Sequence, residues 1–297
     1  MAKVSESLAG RAGILQLLGL SLREMNNESF DRPFYPTADY LMRRKDTHVA
    51  MSLQEIWRTI HRGSLPELFV EQDFNWQNYY SDYVKTYLER DVRKLTQVAD
   101  ELLFRRFMTV CAAMTGQMLN LASLARDVSI SEPTAKRWLS ILETSGIIYL
   151  LKPYYHNAIK RVVKTPKLYF LDTGLAAYLT RWLTPETLSA GAASGHYFET
   201  FVFAEILKSY TNAGIEEDFY YLRDGSGREI DLLIFQDNTL IPLEIKQHTA
   251  PTPHDIRHFG MLDNLNDVNI EKGGVICLSQ ELLPLSDGHF IIPLWAL

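Results

Sequence analysis

The residues best suited to chemistry cluster in one short stretch. In EIDLLIFQDNTLIPLEIKQ, residues 229–247, Asp231, Glu244 and Lys246 stand in two apolar runs that read as neighbouring strands, with Glu229 opening the first. Asp237-Asn238 suits the centre of a two-residue hairpin turn, which needs positive φ. With that pair as the loop, Gln236 pairs with Thr239, Asp231 faces Glu244 and Glu229 faces Lys246. Alternation then projects Glu229, Asp231, Glu244 and Lys246 from one face, and Ile230, Leu232, Ile234, Ile241, Leu243 and Ile245 from the other. Two carboxylates directly opposed repel by up to about 1 kcal/mol, so a cation is expected beside them. Lys246 is one candidate. The other is Mg²⁺ or Mn²⁺ held by Asp231 and Glu244, since such ions favour carboxylate oxygens and keep waters that a phosphate displaces. Lys246 would then orient or deprotonate an attacking water, or stabilise charge developing on a phosphate.

The elements that must position these groups begin with a helix, YFETFVFAEILKSY. The strands FYYLR, EIDLLIF and LIPLEIK follow, then a helix HDIRHFGMLDNL and a strand GVICLS. This order predicts an α/β unit with an antiparallel meander between its helices. Glu199 lies on the stripe Glu199, Val202, Phe203, Ile206, Tyr210, which is otherwise apolar and should pack on the sheet. A carboxylate at the edge of such a stripe needs a partner. It either sits in a first helical turn, where the helix dipole favours it, or joins the acids of the sheet.

Upstream, LASLARDVSISEPTAKRWLSILETSG reads as a helix-turn-helix. A short helix over residues 121–128 leads through a turn to Ser131 as N-cap, with Pro133 in the first turn and Gly146 at the end. Trp138, Ile141 and Leu142 face the core, leaving Lys136, Arg137 and Ser140 outward, where a recognition helix meets DNA. The runs IIYLLKPY and KLYFLD, joined by the basic loop HNAIKRVVKTP, read as a wing, so the assembly is a winged helix. Lys136, Arg137, Lys160, Arg161, Lys164 and Lys167 make this middle region basic, although the whole chain carries a net charge of −6 and acids outnumber bases after Gly195. DNA contact is therefore expected at Lys136, Arg137, Lys160, Arg161 and Lys164. The alternative is that the winged helix contacts protein. From about Leu53 to Met114 the pattern is helical, and its tyrosines in YYSDYVKTY read as packing. LTPETLSAGAASG, about residues 183–195, is the best linker candidate.

A chain of 297 residues with 46% hydrophobic and 22% charged residues has the composition of a globular protein with room for more than one domain. Cys111 and Cys277 lie far apart among apolar neighbours and read as reduced core thiols, with no zinc spacing. His254 and His258 are four apart but lack a third ligand or an HExxH motif, and a lone Asp-Thr-Gly at Asp172 has no second copy to form a protease dyad. No signal peptide or membrane segment is read, which places the chain in the cytoplasm. No GxxxxGK[ST] phosphate loop occurs, so the sequence holds no ATP site of that kind and no ATPase activity is expected from this chain alone.

The Asp231…Glu244-Ile-Lys246 pattern, with Glu199 on the preceding helix, resembles the PD-(D/E)xK nuclease-like superfamily. The resemblance implies that Asp231 and Glu244 are metal ligands, that Lys246 is the catalytic lysine and that Glu199 is an accessory catalytic acid. SESLAGR, LSLREM, GSLPEL, YVKTYLERDV, the helix-turn-helix and KTPKLYFLDTGLAAYL, together with the nuclease-like end, resemble bacterial and archaeal AAA-type ATP-binding proteins that carry a C-terminal domain of unknown function. In that family an ATPase module precedes SESLAGR. The expected organisation is α/β and multidomain: 1–20 the end of an ATPase module, 21–115 a helical region, 116–185 a winged helix-turn-helix, and 186–297 a restriction-endonuclease-like αβββαβ domain. The function this implies is a DNA-associated relative of AAA-type ATPases with a Mg²⁺-dependent nuclease-like domain. The alternative is a non-catalytic DNA-binding or docking module, working with a separate ATPase or as a homo-oligomer.

Overall fold

A computed structural model describes residues 16–71, 73–88, 90, 101–155 and 163–297. The protein is α/β, with a helical N-terminal region followed by a mixed sheet. The principal helices of the first region are α1 (Ala38–Thr47), α2 (Leu53–Arg62), α3 (Trp76–Tyr87) and α4 (Glu101–Ala113). Thr37, Ser52 and Asn75 start the first three by accepting a backbone N–H of the first turn, and Ser52 forms a reciprocal capping box with Glu55. Each helix buries one stripe, such as Ile56 and Ile60, or Phe104, Phe107, Met108 and Cys111.

The short strand β1 (Gln117–Met118) leads into the helix-turn-helix, α5 (Leu121–Val128) and α6 (Glu132–Thr144). Ser131 Oγ accepts the Thr134 N–H, Pro133 sits in the first turn, and Gly146 adopts φ 71° beyond the last turn. Trp138 packs edge-on against Phe104 and Phe107, with ring centroids 5.1 and 5.3 Å away. Strands β2 (Ile148–Pro153) and β3 (Lys167–Phe170) form the antiparallel wing, and β3 also pairs with β1. Next come α7 (Thr173–Thr180), α8 (Pro185–Ala190) and the long α9 (Ser194–Asn212). The segment expected as a linker is thus largely helical: Thr184 caps α8, Pro185 occupies its first turn, and Leu188 is buried.

The remaining strands are β4 (Phe219–Arg223), β5 (Glu229–Gln236), β6 (Thr239–Lys246), β7 (Asn269–Ile270), β8 (Gly274–Cys277), β9 (Leu283–Pro284) and β10 (Phe290–Pro293). The sheet order is β1-β3-β2-β4-β5-β6-β8-β10-β9, with β7 beside β6. β2 joins β4 in parallel through Lys152 with Tyr220 and Pro153 with Tyr221, so wing strands and C-terminal strands share one sheet.

The β5-β6 hairpin has the expected register, from Gln236 with Thr239 to Leu232 with Leu243, and Asp237 and Asn238 take φ of 49° and 58°. The expected separation of a charged from an apolar face does not hold. Tyr220 pairs with Leu233 and Leu222 with Ile230, so Asp231 and Leu232 together oppose Tyr221 in a β-bulge. The bulge shifts alternation by one. Leu232, Ile234, Ile241, Leu243 and Ile245 pack in one core with Val202, Phe203 and Ile206 of α9, whereas Ile230 joins Leu233 and Leu240 in a second core with Ile256, Phe259 and Leu262. Both faces are therefore covered.

The segment HDIRHFGMLDNL is not an α-helix but a series of turns ending in a 3₁₀ helix, Phe259–Leu262. Ile256, Phe259, Leu262 and Leu265, all buried, recur every three residues, which suits the three-residue turn of a 3₁₀ helix. Asp263, Asn264, Asn266 and Asp267 then disfavour helix extension.

The Asp-Thr-Gly motif proves structural. Asp172 caps α7 through the Leu175 N–H at 2.7 Å, and also accepts from Ser64 N at 2.7 Å, Ser64 Oγ at 3.0 Å and Tyr80 Oη at 2.6 Å. A Cβ on Gly174 would lie 2.4 Å from the Arg62 carbonyl oxygen, so only glycine lets α7 approach α2 this closely. Asp172→Ala strands several buried donors together, and should lower the unfolding free energy by about 2–4 kcal/mol in urea titrations, with Asp172→Asn losing less.

Candidate functional site

Where the bulge interrupts the ladder, side chains from five elements converge, β3, β4, β5, β6 and α9. Asp231 turns across to β6, where its Oδ2 accepts the Ile245 N–H at 3.0 Å and the Lys246 ammonium at 2.9 Å. Lys246 Nζ also lies 2.6 Å from Glu244 Oε2, so it bridges the two acids. Glu229 does not pair with Lys246, because the bulge redirects it: its oxygens meet Lys167 at 2.5 Å and Arg223 at 2.6 Å. Lys167, from wing strand β3, also lies 2.9 Å from Glu199 Oε1 and 3.8 Å from Asp231 Oδ1. Tyr169 Oη donates to Glu199 Oε1 at 2.6 Å. The structure thus gathers Glu199, Asp231, Glu244 and Lys246 into one cluster and adds Lys167, Tyr169, Glu229 and Arg223.

Lys167 does not join the exposed basic residues of the middle region. Its side chain is only 3% exposed, with its ammonium 5.5 Å from the centre of the Tyr221 ring. The one local sign of this was a lysine opening an apolar strand run, KLYF, whose four residues are all buried. Glu199 is not a first-turn acid, because α9 starts at Ser194, and its charge is met by Lys167 rather than by the helix terminus.

The electrostatics divide the cluster. Burial alone would push the Asp231 carboxyl up, but the ammonium groups of Lys167 and Lys246 and the Ile245 N–H hold it well below the usual carboxylate range. Burial, and then the negative charge of Asp231, raise Glu244 to about 9, so Glu244 is protonated at neutral pH. Burial opposes the charge on Lys246, yet Asp231 and Glu244 outweigh it and keep the ammonium protonated above its ordinary range. Burial also opposes Lys167, and Glu199 is the first of the charges that override it. Glu199 is raised by burial, with Lys167 pulling the other way.

Among the described residues no group of three or more His, Cys, Asp and Glu is arranged to hold a metal ion. Asp231 and Glu244 suit a hard cation in a narrower sense. Glu244 Oε1 is buried without a hydrogen-bond partner, and the negative charge of Asp231 beside it is one that a cation would offset. His254 is exposed, and His258 Nδ1 lies 3.0 Å from the Glu229 carbonyl oxygen, so the histidine pair forms no site of its own.

On the winged helix, Lys136, Arg137 and Ser140 are exposed on α6 as expected. Lys136, Ser140 and Glu143 line an open groove of about 940 Å³ with Leu150, Thr165 and Pro166. Lys164 Nζ lies 5.7 Å from the centre of the Tyr155 ring, while Lys160 and Arg161 fall outside the described residues. Among the described residues no helix is long and apolar enough to cross a membrane.

Residues 53–186 match a family described as a domain of unknown function, DUF8612, and residues 194–297 match another, DUF4143. An uncharacterised protein of Mycobacterium tuberculosis is 27% identical over 290 residues, covering 97% of this chain and 58% of its own length. An uncharacterised protein of Mycobacterium bovis matches to the same extent. The chain thus spans somewhat over half the length of these relatives.

The protonated state of Glu244 has a measurable consequence. An unfolded chain ionises this group near 4.5, whereas the folded chain keeps its proton to about 9. The stability it contributes is complete below the lower value and is lost as pH rises towards the upper one, by at most about 1.4 kcal/mol per pH unit. Asp231 acts in the opposite sense, losing its contribution in acid below its usual value of 3.8. Glu244→Gln mimics the protonated form, so urea titrations from pH 5 to 9 should show a shallower alkaline decline than in the wild type.

Proposed function

We propose that this chain is a DNA-associated module of an AAA-type ATP-binding protein, combining a winged helix with a nuclease-like domain that acts as a Mg²⁺- or Mn²⁺-dependent phosphodiesterase. The observation that carries this reading is the convergence of Asp231 and Glu244 beside Lys246, with one Glu244 oxygen buried and unpartnered. The match of residues 194–297 to DUF4143 supports the setting, because that domain typically accompanies AAA-type ATPases.

When bound, a divalent cation would supply an activated water and charge neutralisation at a phosphoryl oxygen. Asp231 and Glu244 would hold it, with Glu244 giving up its proton. Lys246 is one-third exposed, so it can reach a substrate phosphate. Because its ammonium stays protonated, its role is to orient the phosphate and stabilise charge rather than to take a proton from water. Glu199, paired to Lys167 and Tyr169, acts as a positioning residue behind Asp231. Lys136, Arg137 and Lys164 offer the positive charge for a DNA backbone, and Lys160 and Arg161 extend it in sequence.

A second reading, a non-catalytic DNA-binding or docking module, is favoured by one observation: ammonium groups already offset the carboxylates from within. Plasmid nicking decides between the two. Metal-dependent cleavage that falls by about a hundredfold in Lys246→Ala supports the phosphodiesterase, whereas no metal-dependent cleavage by the wild type selects the second reading. For DNA contact, Lys136→Ala with Arg137→Ala should weaken binding and make the log–log salt dependence shallower by about 2. Unchanged binding would assign the winged helix to protein contacts.

A further inference from the structure

We infer that the Lys167 ammonium is a built-in cation, filling the pocket among Glu199, Glu229 and Asp231 and keeping divalent metal out of it. The inference concerns the same carboxylate cluster but does not depend on whether the chain cuts DNA.

Three carboxylates face the Lys167 ammonium, with oxygens at 2.9, 2.5 and 3.8 Å from Nζ; they are ligands of the type a hard cation takes, although around the lysine they are not arranged to hold a metal ion. In two-metal phosphodiesterase sites the ions lie about 3.5–4 Å apart. Asp231 occupies the dividing position here, with Oδ1 towards Lys167 and Oδ2 towards Lys246. Each oxygen of this acid is therefore offset by a different ammonium. The Lys167 ammonium donates to Glu199 and stands within ion-pair distance of Glu229 and Asp231, and the Tyr221 ring adds its electron-rich face at 5.5 Å.

Lys167 also cannot withdraw as an exposed lysine could. Its backbone sits in β3 between β1 and β2, paired with Met118 on one side and Leu151 on the other. The neighbouring Leu168, Tyr169 and Phe170 are buried. Retracting the ammonium would require opening the wing. The half of the cluster formed by Asp231 and Glu244 differs, because the lysine that spans it is one-third exposed and can swing aside. The wing thus supplies a fixed positive charge to the nuclease-like domain, and any divalent ion is confined to the Asp231–Glu244 half.

The test is a Mn²⁺ count by electron paramagnetic resonance and equilibrium dialysis on the full chain. Lys167→Met should bind one more Mn²⁺ per chain than the wild type, and Lys167→Arg should bind no more than the wild type. An equal count in wild type and Lys167→Met overturns the inference. If Lys167→Met fails to fold, Lys167→Gln removes the ammonium while keeping all three acids and a polar side chain among them, and carries the same expectation. Wild-type crystals soaked in Mn²⁺ give a check without substitution: anomalous density among Glu199, Glu229 and Asp231 overturns the inference, and its absence there supports it. A wild type that binds no Mn²⁺ would undo the phosphodiesterase reading, while the difference between wild type and Lys167→Met would still decide the role of Lys167.

Discussion

A buried ammonium tolerates few arrangements of its surroundings, and that of Lys167 constrains the whole centre of this protein. Removing such an ion from water costs several kcal/mol even after the protein relaxes. Strand β3 can hold Lys167 inside only if acids arrive from elsewhere: Glu199 from α9, and Glu229 and Asp231 from β5. These acids are costly to bury without the lysine, as the upward shift of Glu199 by burial shows. The wing, the long helix and the central hairpin therefore fix one another's positions. Arg223 completes the arrangement by taking the second oxygen of Glu229, and it lies in β4, the strand that joins the wing to the rest of the sheet.

The same use of buried charge recurs where the N-terminal region meets the C-terminal strands. Glu205 accepts the Leu22 N–H, and its partner Lys208 donates to the Leu20 carbonyl, so an ion pair inside α9 pins an incoming segment. Arg23 and Tyr40 donate to Leu297 and Ala296, and Arg44, paired to Glu28, donates to the Trp295 carbonyl. Buried pairs of this kind add little net stability, but breaking one strands a charge. Their value lies in specifying which segments meet. They also account for many of the fully buried charged side chains that an apolar core would not predict.

The parts of this structure legible in the sequence were those set by local chemistry. Asp237-Asn238 fixed the turn, and the turn fixed the register. Ser131, Pro133 and Gly146 marked α6 because each has a local preference for a helix end. What was not legible came from partners distant in the chain. The bulge at Asp231 exists only against Tyr221 of β4, and it moved Ile230 to the other core and Glu229 to Lys167. The start of α9 carries no side-chain cap, so nothing in the sequence placed Glu199 beyond its first turn. Lys167 stood in a basic stretch, and only the packing of β3 against α9 turned it inward. Within the candidate site, the residue types were readable and their pairing was not.

That pairing changes how the acidity of the C-terminal region bears on a phosphate ligand. Counted along the sequence, Glu199, Glu229, Asp231 and Glu244 form a block of negative charge that would repel a DNA backbone. In the folded chain Glu244 holds its proton, and Lys167, Lys246 and Arg223 face the remaining acids. The cluster is close to neutral as a whole, and its reserve of negative charge is the proton of Glu244. A divalent cation entering beside Asp231 would displace that proton, so under the phosphodiesterase reading metal affinity rises with pH through the range in which Glu244 titrates. Positive charge would then appear at the site only once the metal has bound. Under that reading, approach of a nucleic acid before that point would fall to the exposed cations on α6, whose following strand β2 lies in the same sheet as the acids.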